Sequence, residues 1–487
     1  MLSTLLLLPL VGAILVALLP VLDPALIRRI TLMATMVVAA FAWSLLVYFD
    51  PAVADIQFYE VHAWHDRLGS SFSLGVDGFS LPLILLATLL MPVAVVASGT
   101  VKQGAKFYFS LLLLLETAML GVFMARDWSL FYVFWELTLI PLFFLIDRLG
   151  GQNRQRRQKA ALNFVLYTMG GSVFMLLAIL LLYDAVPTHS FSMSAIAEAS
   201  PGLPVATQVW IFLGLLIGFG VKMPIFPLHG WLPLAHVEAP SAVSILLSGI
   251  LLKMGSYGLL RAVETLPGAA LLLQSLLVTL AFVSMIYGGV LAWRSRDLKE
   301  MIAYSSISHM GVVLLGIAAL NPAGFAGATM QMIAHGLVAG ALFFLVGLLY
   351  ERTHTRDIGD YASLVRTMPR FAFFMVLALT AAVGLPGTAG FIAELHALLG
   401  GFARWGLWMV VLSLSLLISA AYAFRTVGRL FTGPVSATMK SVPDLSRTEM
   451  TAASALAFGI VAIGLFPAPA LNLVGASVAR LAQYFGA

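Results

Sequence analysis

Apolar runs of about 20 residues recur fourteen times along this chain, each long enough to cross roughly 30 Å of hydrocarbon as a helix. They account for a composition of 61% hydrophobic and 10% charged residues in a chain of 487, which no soluble domain could hide. The expected fold is an all-α polytopic membrane protein. The expected spans run 2 to 20, 30 to 48, 79 to 97, 107 to 125, 129 to 146, 160 to 183 and 207 to 227 in the first half. Those of the second half run 240 to 260, 269 to 292, 300 to 319, 323 to 349, 371 to 399, 404 to 424 and 450 to 470. The apolar N-terminus lacks a basic n-region and a small-residue cleavage site, so it reads as the first span and not as a signal peptide.

Charge placement sets the expected orientation. Loops after odd-numbered spans hold 20 of the 27 Lys and Arg residues, the opposite side holds 5, and Lys222 and Lys253 lie inside spans. The positive-inside rule then puts both termini outside. The run NRQRRQK at 153 to 159 suits a surface beside anionic membrane lipids. Because the basic residues sit in short loops between spans, a pI near 9.4 carries no implication of nucleic acid.

Several chemistries are excluded. Without Cys there is no disulfide, thiolate zinc site or Cys-ligated iron–sulfur cluster, and no GxGxxG, Walker or HExxH motif is present.

Two lysines in apolar segments need a reason, since each costs about 2.5 to 3.5 kcal/mol at a bilayer centre. Lys222 is followed by Pro224, Pro227, Gly230 and Pro233, which remove backbone donors and break the seventh span. Broken membrane helices persist where freed backbone groups face protein or water, as in ion pathways. Lys222 is too deep to snorkel, and Glu136 in the fifth span sits at comparable depth as its expected partner. Lys253 lies 8 residues before Arg261 and could snorkel outward. With His229, His236 and Glu238 between the two lysines, a proton relay accounts for more of the pattern. His229 and His236 could equally serve as helix caps or backbone-bonding groups.

The twelfth span is interrupted by Gly384, Pro386, Gly387 and Gly390, and Glu394 follows the break. A broken helix with one ionisable group thus recurs five spans later, which would make spans 4 to 8 and 9 to 13 inverted-topology repeats. The corresponding division is 1 to 106, 107 to 260, 269 to 424 and 425 to 487. His309 and His335 lie between Lys253 and Glu394 and would bridge them, although each alone reads equally as a hydrogen-bonded core residue. Glu116 has no such support and could be only a bonded acid.

The segments FYVFWELTLIPLFFLI, KMPIFPLHGWLPLAHVEAPSAVSILLSGILLKMGSYGLLR, AYSSISHMG and LPGTAGFIAEL resemble the antiporter-like subunits of respiratory complex I, NADH:quinone oxidoreductase. Within that family the likeness is to the M type, the mitochondrial subunit 4 type, because Glu394 stands where the sister L and N types usually carry Lys. SLGVDGFSLPL before the third span agrees. The resemblance implies a coupling pair Glu136 and Lys222, a central Lys253, a path through His309 and His335, and a terminal Glu394. It further implies that this chain binds no cofactor, with FMN, iron–sulfur clusters and quinone held by partner subunits, and that L-type and N-type subunits are its neighbours. The alternatives within the fold are a subunit of a multi-subunit cation/proton antiporter or of a membrane-bound hydrogenase or related dehydrogenase.

Overall fold

A computed structural model describes residues 1–20, 23–435 and 439–486. Among the described residues, eleven helices are long and apolar enough to cross a membrane, and three shorter apolar helices, Leu2–Leu18, Ser80–Val96 and Pro369–Ala382, accompany them. Helices Ser241–Thr265, Leu298–Ala318 and Pro322–Thr353 are surrounded by protein, whereas Pro24–Tyr48, Trp408–Phe431 and Arg447–Leu465 expose most of their surface. This sorting follows from side-chain chemistry. The three enclosed helices carry Lys253, His309, His335 and the buried Ser244, Ser248, Ser256, Ser305, Ser306 and Ser308, groups that lipid would penalise. The peripheral helices present Leu, Val, Phe and Met to the membrane.

The seventh and twelfth segments are broken. Helix Val205–Lys222 stops at Lys222 and resumes as Leu232–Glu238, while Pro369–Ala382 is separated from Ala389–Trp405. In the second break Gly384 and Gly387 adopt φ of +72° and +92°. A Cβ on Gly384 would also run into the Glu394 carboxylate, so only glycine admits both the backbone angle and the close approach.

Two interruptions were not expected from sequence. The fifth segment divides into Trp128–Leu137 and Leu139–Leu149. Pro141 explains it: it has no N–H for the Leu137 carbonyl, and its ring crowds that carbonyl. The eighth segment, Ser241–Thr265, contains a π-helical turn at Leu247–Leu251, immediately before Lys253.

The connection from 50 to 78 folds as an antiparallel hairpin, Gln57–His65 with Ser70–Val76. His62 and His65 lie on its exposed strand, away from the broken helices. A helix beyond the last expected span, Ala468–Gln483, buries Val474, Val478 and Leu481, and its Ser477 Oγ accepts from the Gly78 N–H at 3.0 Å.

Asp77 ties these pieces together. Its Oδ1 accepts from the backbone N–H groups of Phe79 (3.1 Å) and Ser80 (3.0 Å), capping helix Ser80–Val96. The same carboxylate lies 3.3 Å from Arg126 and is hydrogen-bonded to Arg261. Arg126 Nε also donates to the Gly75 carbonyl at 3.1 Å, and the Arg261 guanidinium lies 4.9 Å from the Tyr257 ring centre. All three charges are buried, and they join the hairpin to helices Ala105–Met124 and Ser241–Thr265 on the face opposite the basic loops.

Candidate functional site

Lys222 ends its helix half, so its ammonium emerges where the backbone turns away. The side chain is buried and donates to Thr138 Oγ1 at 2.9 Å. It lies 5.1 Å from the Trp135 ring centre and 6.0 Å from that of Phe164, a favourable cation–π setting. Glu136 lies within electrostatic reach of Lys222, as expected, but does not take the hydrogen bond. It is half-buried, its Oε1 has no hydrogen-bond partner, and Thr138, not Glu136, receives the Lys222 proton. Tyr132, one turn earlier, is a hydrogen-bonding neighbour of Glu136 and of Ser172. Thr138 sits at the junction of the two half-helices, where its hydroxyl meets Lys222. Replacing Thr138 with Val should therefore lower the stability of the chain by about 1.5 to 3 kcal/mol, the worth of a hydrogen bond to a charged group. Thermal unfolding of the purified protein measures this, and Thr138→Ser should be close to unchanged.

Lys253, Glu394 and the two histidines do come together. The buried Lys253 Nζ donates to the Ser248 carbonyl at 2.5 Å, within the π-helical turn, and contacts His335 Nδ1 at 2.6 Å. When Lys253 is an ammonium, Nδ1 accepts from it and the His335 proton sits on Nε2. The rings of His335 and His309 are 5.4 Å apart between centroids. His309 Nδ1 is 3.7 Å from Glu394 Oε1, and Gln331 Nε2 at 3.3 Å and Tyr422 Oη at 3.5 Å hold the imidazole on its two sides. The result is one buried line from Lys253 to Glu394 across helices 241–265, 322–353, 298–318 and 389–405. Gln331 and Tyr422 were not anticipated, because neutral polar residues in apolar helices carry no sequence signal beyond polarity.

The other histidines separate. His229 packs beside Tyr287, 5.0 Å between ring centres, at the margin of the bundle. His236 is fully buried and stacked on Phe343 at 4.4 Å, with neither ring nitrogen hydrogen-bonded. It therefore caps no helix. Instead it lies within electrostatic reach of both Lys253 and Lys299. Glu116 is also fully buried with both oxygens unpartnered, and no described contact joins it to the line.

A cavity of about 470 Å³ opens at the basic-loop face and is lined by Glu238, Lys299, Glu351 and Arg356. Lys299 donates to the Ala239 carbonyl at 2.9 Å, and Arg356 Nη1 to the Val237 carbonyl at 2.5 Å. Both cations thus satisfy the end of the short helix Leu232–Glu238, where carbonyls lack helical partners. From sequence, Lys299 and Arg356 read only as loop charges. Among the described residues no group of three His, Asp or Glu side chains is placed to hold a metal ion.

Comparison with known proteins agrees with this architecture. Residues 125–419 match the model of the NADH:quinone oxidoreductase/Mrp antiporter transmembrane family. NADH-quinone oxidoreductase subunit M of Rhodobacter capsulatus is 39% identical over 94% of this chain and 91% of its own. In respiratory complex I from Thermus thermophilus one chain superposes with a TM-score of 0.90 at 31% identity, covering 99% of this chain and 100% of that one. A chain of the Mrp complex from Dietzia sp. gives 0.81 at 26% identity, covering 98% of this chain but 52% of its own. With its polytopic helical fold and buried line of ionisable groups, the chain belongs to the antiporter-like membrane subunits of NADH:quinone oxidoreductase, respiratory complex I, in the subunit M (chain 4) family.

Proposed function

We propose that this chain carries protons from the cytoplasm to the outside through Lys253, His335, His309 and Glu394, with Glu136 and Lys222 as the element that couples it to the rest of the membrane arm. The observation that carries the reading is the buried series in which Lys253 bonds His335 at 2.6 Å, the His335 and His309 rings lie 5.4 Å apart between centroids, and His309 stands 3.7 Å from Glu394. Groups that exchange protons need hydrogen-bond reach, directly or through one water; the Lys253–His335 contact has it directly, and the remaining steps would each use a bridging water. Protons would enter by the cavity beside Glu238 and Lys299 and pass His236, whose bare ring nitrogens suit a hydrated passage. Glu394 would release them.

In this reading the basic loops face the cytoplasm of a bacterial cell, both termini lie outside, and the L-type and N-type subunits flank the chain. Redox cofactors and quinone belong to other subunits, and this chain's part in the oxidoreductase is translocation. Segments 107 to 260 and 269 to 424 act as two half-channels, each hinged on one broken helix. Glu116 and His229 stay outside the path. Full-length coverage of the complex I subunit, against about half of the Mrp chain, favours a complex I context over a free-standing cation/proton antiporter.

The test is Glu136→Ala and Lys222→Ala in membranes where assembly of the complex has been verified. Because charge coupling at such a site is worth about 1 to 3 kcal/mol, redox-driven proton pumping should fall by roughly tenfold in each. Unchanged pumping by an assembled variant complex would sink the coupling role.

A further inference from the structure

We infer a binding site for one acyl chain of an anionic glycerophospholipid in the lateral groove between helices Pro24–Tyr48, Ser80–Val96 and Arg447–Leu465. The groove encloses about 550 Å³ and is lined by Met36, Trp43, Pro92, Val93 and Ala455, with Arg447 at its mouth. Its lining on the first helix runs from Leu32 to Trp43. Eleven residues at 1.5 Å each make that about 16 Å, close to half of the hydrocarbon thickness. A partner's transmembrane helix would need a groove running the full thickness, whereas the tail of a lipid in one leaflet needs half.

Charge at the mouth selects the headgroup. Arg447 is the first residue of its helix and is exposed. Arg28 stands one turn before Leu32 on the same face of its helix and lies against Gly99, just beyond helix Ser80–Val96. Among the described residues neither guanidinium has a carboxylate partner, whereas Arg352 nearby is taken up by Glu449. Thr448 and Thr451 add hydroxyls beside Arg447. Two unpaired guanidiniums above an apolar slot one leaflet deep match a phosphate diester that bears a long acyl chain, and guanidinium is the side chain best shaped for bidentate phosphate contact.

The experiment places a benzophenone amino acid at Trp43 in the intact complex in native membranes, irradiates it and identifies the adduct by mass spectrometry. The same residue at Phe458, which is 75% exposed on the outer side of its helix, reports the bulk lipid composition. Expected at Trp43 is a lipid adduct enriched in anionic headgroups relative to Phe458. That enrichment should fall about fivefold for each guanidinium lost in R28Q and R447Q, the effect of one basic residue near an anionic headgroup. The proposal is overturned by a polypeptide adduct, by no adduct at Trp43 while Phe458 labels, or by a lipid adduct of bulk composition that R28Q and R447Q leave unchanged.

Discussion

Replacing Lys253 with Met is expected to cut proton transfer through this chain by about a hundredfold or more, the usual worth of a positioned proton donor. Met fills the lysine's volume and preserves the helix, so the loss would be chemical and not a collapse of packing. In the described structure Lys253 Nζ is the group in contact with His335 Nδ1, and no other ionisable side chain bonds that nitrogen. Removing it leaves His236 and His335 without a proton carrier between them. A second variant separates two explanations. Lys253→Arg keeps a positive charge at the π-helical turn, but guanidinium does not give up its proton at any accessible pH. If Lys253 works by releasing protons, Arg should fail nearly as badly as Met; if it is a fixed countercharge, Arg should restore function. Proton yield per electron pair in inverted vesicles decides the matter, and normal yield in Lys253→Arg would remove Lys253 from the path.

Asp77→Ala should destabilise the protein by about 3 to 5 kcal/mol, the cost of leaving buried charge without its partner. The substitution leaves Arg126 without a carboxylate and Arg261 with only Glu264, in a site from which water is largely excluded, and it removes the cap of helix Ser80–Val96 as well. Burial alone would raise the Asp77 pKa, but the guanidiniums of Arg126 and Arg261 outweigh it and hold the carboxyl well below the usual range. The sign follows from linkage. A carboxyl depressed in the folded state contributes fully above its unfolded pKa, near about 3.9, and loses that contribution only as pH falls below it toward the folded value. The interaction is therefore intact at any pH at which a cell grows. Level of the chain in membranes and the unfolding temperature after mild extraction are the measurements. Arg126→Met together with Asp77→Leu, which removes a charge of each sign, should recover part of the loss, whereas replacing the exposed Asp55 should change little.

Much of the buried line of ionisable groups was legible because membrane chemistry is unforgiving. A lysine or a carboxylate in an apolar run must have a purpose, so Lys222, Lys253 and Glu394 stood out singly, and His309 and His335 through lying between the last two. Pro224, Pro227, Pro386 and Gly387 marked two breaks through simple backbone rules. What stayed hidden depended on partners far apart in the chain or on turns without a composition signal. Arg126 and Arg261 looked like two stray cations on the sparsely basic side, and only the fold brings them onto Asp77, 49 and 184 residues away. The pairing of Lys222 with Glu136 followed from equal depth, yet depth could not show that the hydrogen bond goes to Thr138. Pro141 was visible, but reading it required asking which carbonyl four residues back would lose its donor. The π-helical turn at 247–251 has no Pro, and its Gly249 would not announce it, since a wide turn is a matter of hydrogen-bond phase.

That turn has a consequence for evolution and for design alike. An α-helix advances about 100° per residue, so one extra residue accommodated in a wide turn rotates everything beyond it by about that angle relative to everything before. Ser241–Leu246 and Leu252–Thr265 are thus two helices of different phase sharing one axis. Deleting a single residue between 247 and 251 would leave polarity and length almost untouched while swinging Lys253 about a quarter turn from His335 and Arg261 from Asp77 together. The lysine of the pathway and the arginine of the distant charge cluster are indexed to the same angular setting, and neither can be re-aimed without the other.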